Sequence, residues 1–217
     1  MPFAALICDL DGTLIDSLAD LGESMNAVLA AEGLPIHPLE AYCHFVGNGV
    51  IKLAERALPE DWRAPETVAQ MAGRMGEVYA ANWAKHSAPY PGVPQMLDWA
   101  ADQGLKLGVL SNKLDEFTRI MIPHFFPEVS FAVVAGAREG VPIKPHPQAA
   151  LAMAREMGVP ADQCAFLGDT PVDIQTARRA GMLAVGVLWG FRGEDELRQA
   201  GAQVLISHPR ELAGVLV

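Results

Sequence analysis

The stretch Leu6-Ile7-Cys8-Asp9-Leu10-Asp11-Gly12-Thr13-Leu14 decides how the rest of the chain is read. A short apolar run ends in two carboxylates two residues apart, followed at once by Gly and Thr. On extended backbone, side chains at i and i+2 point the same way. Burying a carboxylate is costly unless it is paired or holds a metal. Two acids closing a buried strand, with glycine freeing the backbone behind them, therefore suggest chemistry. With a divalent cation between them, one acid can attack a phosphorus centre while the other handles protons. The plainer alternative is an Asp-Gly turn capping the next helix, with Asp9 exposed.

Working outward, the chain from about residue 90 alternates short apolar runs with helical patterns. Leu105–Leu110 leads into Ser111-Asn112, and Phe131–Ala135 follows a helix predicted over 114–126. A helix over 147–157 precedes Cys164–Gly168 and Asp169, and one over 172–180 precedes Leu183–Val187. Gln203–Ile206 closes the series. Near-continuous apolar strands separated by amphipathic helices predict an α/β fold, a doubly wound parallel sheet with helices on both faces. Residues 17–86 read differently, with helices predicted over 17–32, 38–46, 50–58 and 66–86 and no β-like run. The expected division is a core of residues 1–16 and 87–217 and an inserted all-α cap of residues 17–86. Its hinges fall at Leu14–Leu18 and the Pro-rich Ser87–Gly92, a composition that suits an exposed boundary.

With 217 residues the chain can bury a sizeable core. A net charge of −10 argues against nucleic acid or an anionic membrane as partner, since both select clustered Lys and Arg. Cys8, Cys43 and Cys164 lie far apart in apolar contexts and read as buried free thiols, which suits a reducing compartment. No span approaches the roughly 20 apolar residues of a membrane helix, and the N-terminus lacks a charged n-region. The expectation is a cytoplasmic protein, monomer or homodimer.

Four polar elements follow predicted strands: Asp9/Asp11, Ser111-Asn112, Lys144 and Asp169. In an open parallel sheet, ligands bind outside the carboxyl ends of the strands, so all four can converge on one crevice. Their types suit phosphoryl transfer. Asp9 can act as nucleophile and Asp11 as acid and then base. Mg2+ prefers hard oxygen ligands; Asp9 and Asp169 would supply carboxylates and Asp11 a backbone carbonyl. Ser111, Asn112 and nearby amides can hold phosphate oxygens, and Lys144 adds compact positive charge. Each element also has a duller reading: a solvated Lys144, an N-cap at Ser111-Asn112, a capping turn at Gly168-Asp169-Thr170 with Asp173.

With these motifs in hand, the chain resembles the haloacid dehalogenase superfamily of phosphohydrolases. The matches are Asp9-Leu10-Asp11-Gly12-Thr13, Ser111-Asn112, Lys144-Pro145 and Gly168-Asp169-Thr170-x-x-Asp173, in family order. The helical insertion resembles that superfamily's C1-type cap. The resemblance implies Asp9 as nucleophile, Asp11 as acid/base and Asp169 as metal ligand. It further implies Asp173 just outside the metal's ligands, and Ser111 and Lys144 on phosphate. Within the superfamily the chain most resembles phosphoglycolate phosphatases, through Val46-Gly47-Asn48-Gly49, Glu55-Arg56-Ala57-Leu58, Ser111-Asn112-Lys113 and Trp189-Gly190-Phe191. Leu114 stands where relatives often have Pro.

The expected function is a magnesium-dependent phosphatase of a small phosphorylated metabolite, 2-phosphoglycolate first. Gly47, Asn48 and Gly49, at a helix start where amides and dipole favour an anion, are candidates to read its carboxylate. Lys113 is a second candidate; the loop can equally be a plain turn, and Trp189 plain packing. A sugar-phosphate phosphatase, a pyrophosphatase or a phosphomutase would use the same four motifs. A module that only binds a phosphorylated ligand would be marked by loss of Asp9 or Asp11, and both are present.

Overall fold

The computed structural model describes residues 3–216. The chain forms two compact units, one ending at Ile15 and resuming at Pro89, the other Asp16–Ala88. The first unit begins with strand β1 (Ala5–Cys8) and β2 (Ile15–Asp16) follows at the boundary. The second unit holds helices α1 (Leu18–Ala31), α2 (Tyr42–Phe45), α3 (Val50–Ala57) and α4 (Pro65–Asn82). After β3 (Ala88–Pro89) come α5 (Val93–Asp102), β4 (Lys106–Leu114), α6 (Asp115–Phe125) and β5 (Val133–Ala137). Then follow α7 (Gln148–Glu156), β6 (Cys164–Gly168), α8 (Pro171–Ala180), β7 (Leu183–Val187), α9 (Glu194–Gln199), β8 (Val204–Ile206) and α10 (Ala213–Leu216).

Six of the strands form one sheet in the order β5-β4-β1-β6-β7-β8, with every neighbouring pair parallel. β2 and β3 pair as a separate two-stranded sheet. This is the expected α/β parallel sheet. β1 and β6 are buried throughout, so their residues are apolar on both faces rather than alternating. Period-2 geometry sends Ala5, Ile7, Cys164 and Phe166 to one side, where they pack with Ala150, Met153, Ile174 and Ala177 of α7 and α8. Leu6, Cys8, Ala165 and Leu167 bury on the opposite face.

Several local expectations shift. Ser111-Asn112 lie inside β4, not after it, because the strand runs on to Leu114; the α6 N-cap is Leu114. β5 starts at Val133 rather than Phe131, whose ring instead meets the Phe126 ring edge-on. Helices α5 and α9 were not foreseen; α5 buries Val93, Met96, Leu97 and Ala100 at i, i+3, i+4, i+7 spacing. The predicted helix over 66–86 ends at Asn82. Cys8 and Cys164 are buried free thiols, while Cys43 is half-exposed. Burial raises the Cys8 thiol above its usual value, which keeps it inert. Among the described residues, no helix is long and apolar enough to cross a membrane.

One buried acid organises the helical unit. Asp20, on α1 and 1% exposed, accepts bonds from the backbone N–H of His86 and Ser87 and from the Ser87 hydroxyl, at 2.7–3.1 Å. It ties the first turn of α1 to the segment after α4, where no helical bond satisfies those donors. Removing a carboxylate that satisfies several buried donors leaves them unpaired, so Asp20→Ala is expected to cost about 2–3 kcal/mol. A urea titration should show a lower midpoint at unchanged slope; an unmoved midpoint would remove Asp20 from this role.

Candidate active site

β1 and β6 end side by side, at the point where the strand order reverses direction from β1. Asp9 sits one residue past β1, and its N–H donates to Leu167 O (2.9 Å), prolonging the β1–β6 ladder. The chain then folds tightly over itself, with the N–H groups of Thr13, Leu14 and Ile15 all directed at Leu10 O. Gly12 makes this possible in two ways. Its φ of +87° is one that other residues rarely adopt, and a Cβ there would stand 2.2 Å from Asp169 Oδ2. The small residue brings the first loop against the acid at the end of β6.

Asp169 is fully buried and both its oxygens are held. Thr13 Oγ1 donates to Oδ1 (2.9 Å) and Phe191 N–H donates to Oδ2 (2.8 Å). Trp189 Nε1 donates to Thr13 O (3.0 Å), so the Trp189-Gly190-Phe191 segment braces the loop and the acid together. Gly190 allows this approach, since a Cβ there would lie 2.3 Å from Asp169 Cβ. Asp173 closes a capping box at the start of α8: Thr170 N–H and Oγ1 donate to Oδ2 at 3.0 and 2.6 Å.

Lys144, 2% exposed, places Nζ 2.7 Å from Asp9 Oδ1 and donates to Asp173 Oδ1, also at 2.7 Å. The contact with Asp9 has an ion pair's distance without a hydrogen bond's angle, which leaves Oδ1 buried and unsatisfied by hydrogen bonds. Asn112 explains how Lys144 arrives from a loop. Its Oδ1 accepts from Lys144 N–H (2.9 Å) and its Nδ2 donates to Lys144 O (3.0 Å), a two-point clasp across a cis Lys144–Pro145 turn. The Asn112 carboxamide, expected on phosphate, is thus engaged with the protein backbone. Ser111 is buried nearby, and its hydroxyl accepts from Lys113 N–H (3.2 Å).

Asp9, Asp169 and Asp173 each offer a carboxylate oxygen, all within 4.8 Å of one another. Burial, then the neighbouring acids Asp173 and Asp169, hold Asp9 well above the usual carboxylate range despite Lys144. Burial and Asp173 push Asp169 up to about 7. Burial alone would lower Lys144, but Asp173 and Asp9 outweigh it and raise it. Ionising all three carboxylates against one ammonium would leave two charges uncompensated, the charge of one divalent cation. The donors are hard oxygens, and Asp9 Oδ1 is buried with no hydrogen bond beside its ion pair to Lys144, so the set fits a cation such as Mg2+. Asp11 stands apart from this cluster: both its carboxylate oxygens face Lys113 Nζ, at 2.8 and 3.1 Å.

Gly47, Asn48 and Gly49 belong to the Asp16–Ala88 unit. There Arg56 donates to the carbonyls of His44 (3.2 Å) and Phe45 (3.0 Å) and to Asn48 Oδ1 (2.8 Å), gripping the loop from both sides. Gly47 and Gly49 take φ of +114° and +83°. Sequence reasoning gave no role to Arg56, to Thr13 or to the N–H of Phe191. All three lie in segments that carried a signal, Asp9–Thr13, Glu55–Leu58 and Trp189–Phe191, but none of these shows what its members hold.

Residues 6–187 match the model of the haloacid dehalogenase-like hydrolases. The chain belongs to this family. It is a hydrolase of that family, and its relatives include named phosphatases. It is 35% identical to a phosphoglycolate phosphatase of Mannheimia succiniciproducens, over 84% of each chain. A phosphoglycolate phosphatase of Xanthomonas campestris pv. campestris is 34% identical over 96% of this chain and 94% of its own. A solved structure of a candidate phosphoglycolate phosphatase from Lactobacillus delbrueckii subsp. bulgaricus superposes with a TM-score of 0.93 at 27% identity. It covers 100% of this chain and 99% of its own.

The raised acids carry a pH signature in metal-free protein. An acid whose folded value lies above its unfolded one stabilises the native state while protonated, and that share is lost as pH rises through the folded value. For Asp169 the window runs from the ordinary 3.8 to about 7. With a chelator present, the drop in melting temperature from about pH 5 to about pH 8 should be smaller in Asp169→Asn than in the unmutated protein. Equal drops in the two proteins would exclude Asp169 as a source.

Proposed function

We propose that this hydrolase is a magnesium-dependent phosphatase of a small phosphorylated metabolite, with 2-phosphoglycolate its substrate. The observation that carries the chemistry is Asp9 at the mouth of β1, buried beside Asp169 and 2.7 Å from the Lys144 ammonium. The named activity of relatives at 34–35% identity supports the choice of ester.

In this reading an oxygen of Asp9 attacks phosphorus in line with the departing alkoxide, forming an aspartyl phosphate. Asp11 gives the alkoxide its proton and then takes one from the water that releases phosphate, acting as acid and then base. Lys144 holds positive charge beside Asp9, where the equatorial oxygens of the transferring group gather negative charge. Asp173 keeps that ammonium in place through its 2.7 Å bond, and Asn112 fixes the backbone that bears it. Ser111 and the amides around it are the remaining phosphate contacts. Asp9 and Asp169, with the carbonyl of Asp11, would hold Mg2+. When bound, Mg2+ neutralises charge on Asp9 and on the phosphate it attacks. Gly47, Asn48 and Gly49, locked by Arg56, are the candidates to read the carboxylate of glycolate.

Phosphate release by purified protein across 2-phosphoglycolate, sugar phosphates, phosphoserine, nucleotides and pyrophosphate tests this directly. The expected outcome is Mg2+-dependent turnover with kcat/KM highest on 2-phosphoglycolate. Asp9→Asn should lower kcat by at least about 10³-fold, since covalent catalysis loses its nucleophile. Preference for another ester would keep the Asp9 chemistry and discard the substrate; full activity in Asp9→Asn would discard the mechanism.

A further inference from the structure

We infer that Lys113 is a positioning residue for Asp11, not a reader of the substrate. The inference rests on the reading above, in which Asp11 moves the proton. Lys113 Nζ donates to both carboxylate oxygens of Asp11, at 2.8 and 3.1 Å. Two contacts to one planar group fix its rotation as well as its place. The pair is well shielded, with the Lys113 side chain 5% exposed and that of Asp11 11%. A cation waiting for an anionic substrate would present its ammonium outward; this one is turned onto an acid of its own chain.

The backbone that carries Lys113 is itself fixed. Pairing between β4 and β5 shifts register between Leu110 and Leu114, and such irregularities re-aim the side chains they carry. Lys113 N–H donates to Ser111 Oγ (3.2 Å). Its carbonyl lies so close to β5 that a Cβ on Gly136 would stand 2.6 Å away. The long lysine stem is thus anchored at its root by β4 and at its tip by Asp11. The purpose of such a brace is clear from what Asp11 must do. A proton donor works only within hydrogen-bond reach of its acceptor. Its carboxylate belongs to the loop after β1, where the backbone makes an isolated bridge to Ile15 and the side chain is aimed separately.

The test is a double-mutant cycle on kcat with Mg2+ present: unmutated protein, Lys113→Met, Asp11→Asn and the double variant, with Lys113→Arg alongside. Two esters serve as substrates, 2-phosphoglycolate and glycerol 2-phosphate, which lacks a carboxylate; the cycle needs only one that the unmutated protein turns over. Lys113→Met is expected to lower kcat about 10- to 100-fold, the scale of a misplaced catalytic group. KM should move less than about threefold, and Lys113→Arg should recover most of the loss. In the Asp11→Asn background, Lys113→Met should change kcat by less than about threefold, because the two act as one unit. A loss confined to 2-phosphoglycolate and seen in KM would make Lys113 a substrate reader and overturn the inference. Losses that multiply in the double variant would also overturn it. Melting temperatures establish that each variant is folded, and Lys113→Gln replaces Lys113→Met if that one is not. Failure of the unmutated protein to turn over any ester is a separate result: it overturns the phosphatase reading, and this inference with it.

Discussion

Three buried carboxylates around a single ammonium set the terms for the rest of the site. Lys144 reaches Asp9 and Asp173 at 2.7 Å each, with Asp169 in the same cluster. Charges taken out of water gain from pairing only when geometry is tight and their remaining hydrogen-bonding capacity is filled. Here most of that capacity is filled by partners that lie from 3 to 156 residues away in the chain. Thr170 satisfies one oxygen of Asp173, Thr13 and Phe191 satisfy Asp169, and Asn112 clasps the backbone on both sides of Lys144. The exception is Asp9 Oδ1, buried without a hydrogen bond on the residue that the chemistry needs most. Its partner there is the Lys144 ammonium at 2.7 Å.

The parallel sheet makes this crowding possible. β1, β4 and β6 are neighbours in the sheet yet separated by about a hundred and fifty residues of chain at the widest, and parallel order puts all their carboxyl ends on one edge. The short loops that leave those ends then meet. Glycine decides how closely: a side chain at Gly12 or Gly190 would collide with Asp169. The site is therefore specified as much by absent side chains as by present ones.

Much of this was legible in the sequence. Asp9, Asp11, Lys144, Asp169 and Asp173 stand after apolar runs, and a parallel sheet leaves such positions one edge to share. The sheet strands were legible too, because burial on both faces makes them continuous apolar words. What sequence could not show was pairing. Asn112 next to Ser111 looks like a phosphate ligand or a cap, and only coordinates reveal its carboxamide on Lys144. Strand β4 outran its apolar run because Leu114 pairs with Ala137 beyond a shift in register, and backbone pairing carries no side-chain signature. Helix α9, six residues long with charges at most positions, has too short an apolar face to register as periodic. Asp20 gave no sign at all, since an acid near a helix start is ordinary and its partners lie sixty-six and sixty-seven residues on.

The chain's charge sharpens what remains. With a net charge of −10, the protein repels phosphate esters at long range, and the site must reverse that locally. Lys144 and Lys113 cannot do so unaided, because each faces carboxylates: Lys144 serves Asp9 and Asp173, and Lys113 faces Asp11. Coulomb attraction between unit charges at 4 Å is about 4 kcal/mol at an effective dielectric near 20, and repulsion from a carboxylate at that distance is as large. Were all three acids ionised, they and one ammonium would present a phosphate with a net repulsive field. The balance turns only with further positive charge between the acids, at the place where their oxygens converge. In the proposed function, the acids whose like charges crowd this cluster are the ones that would hold the cation.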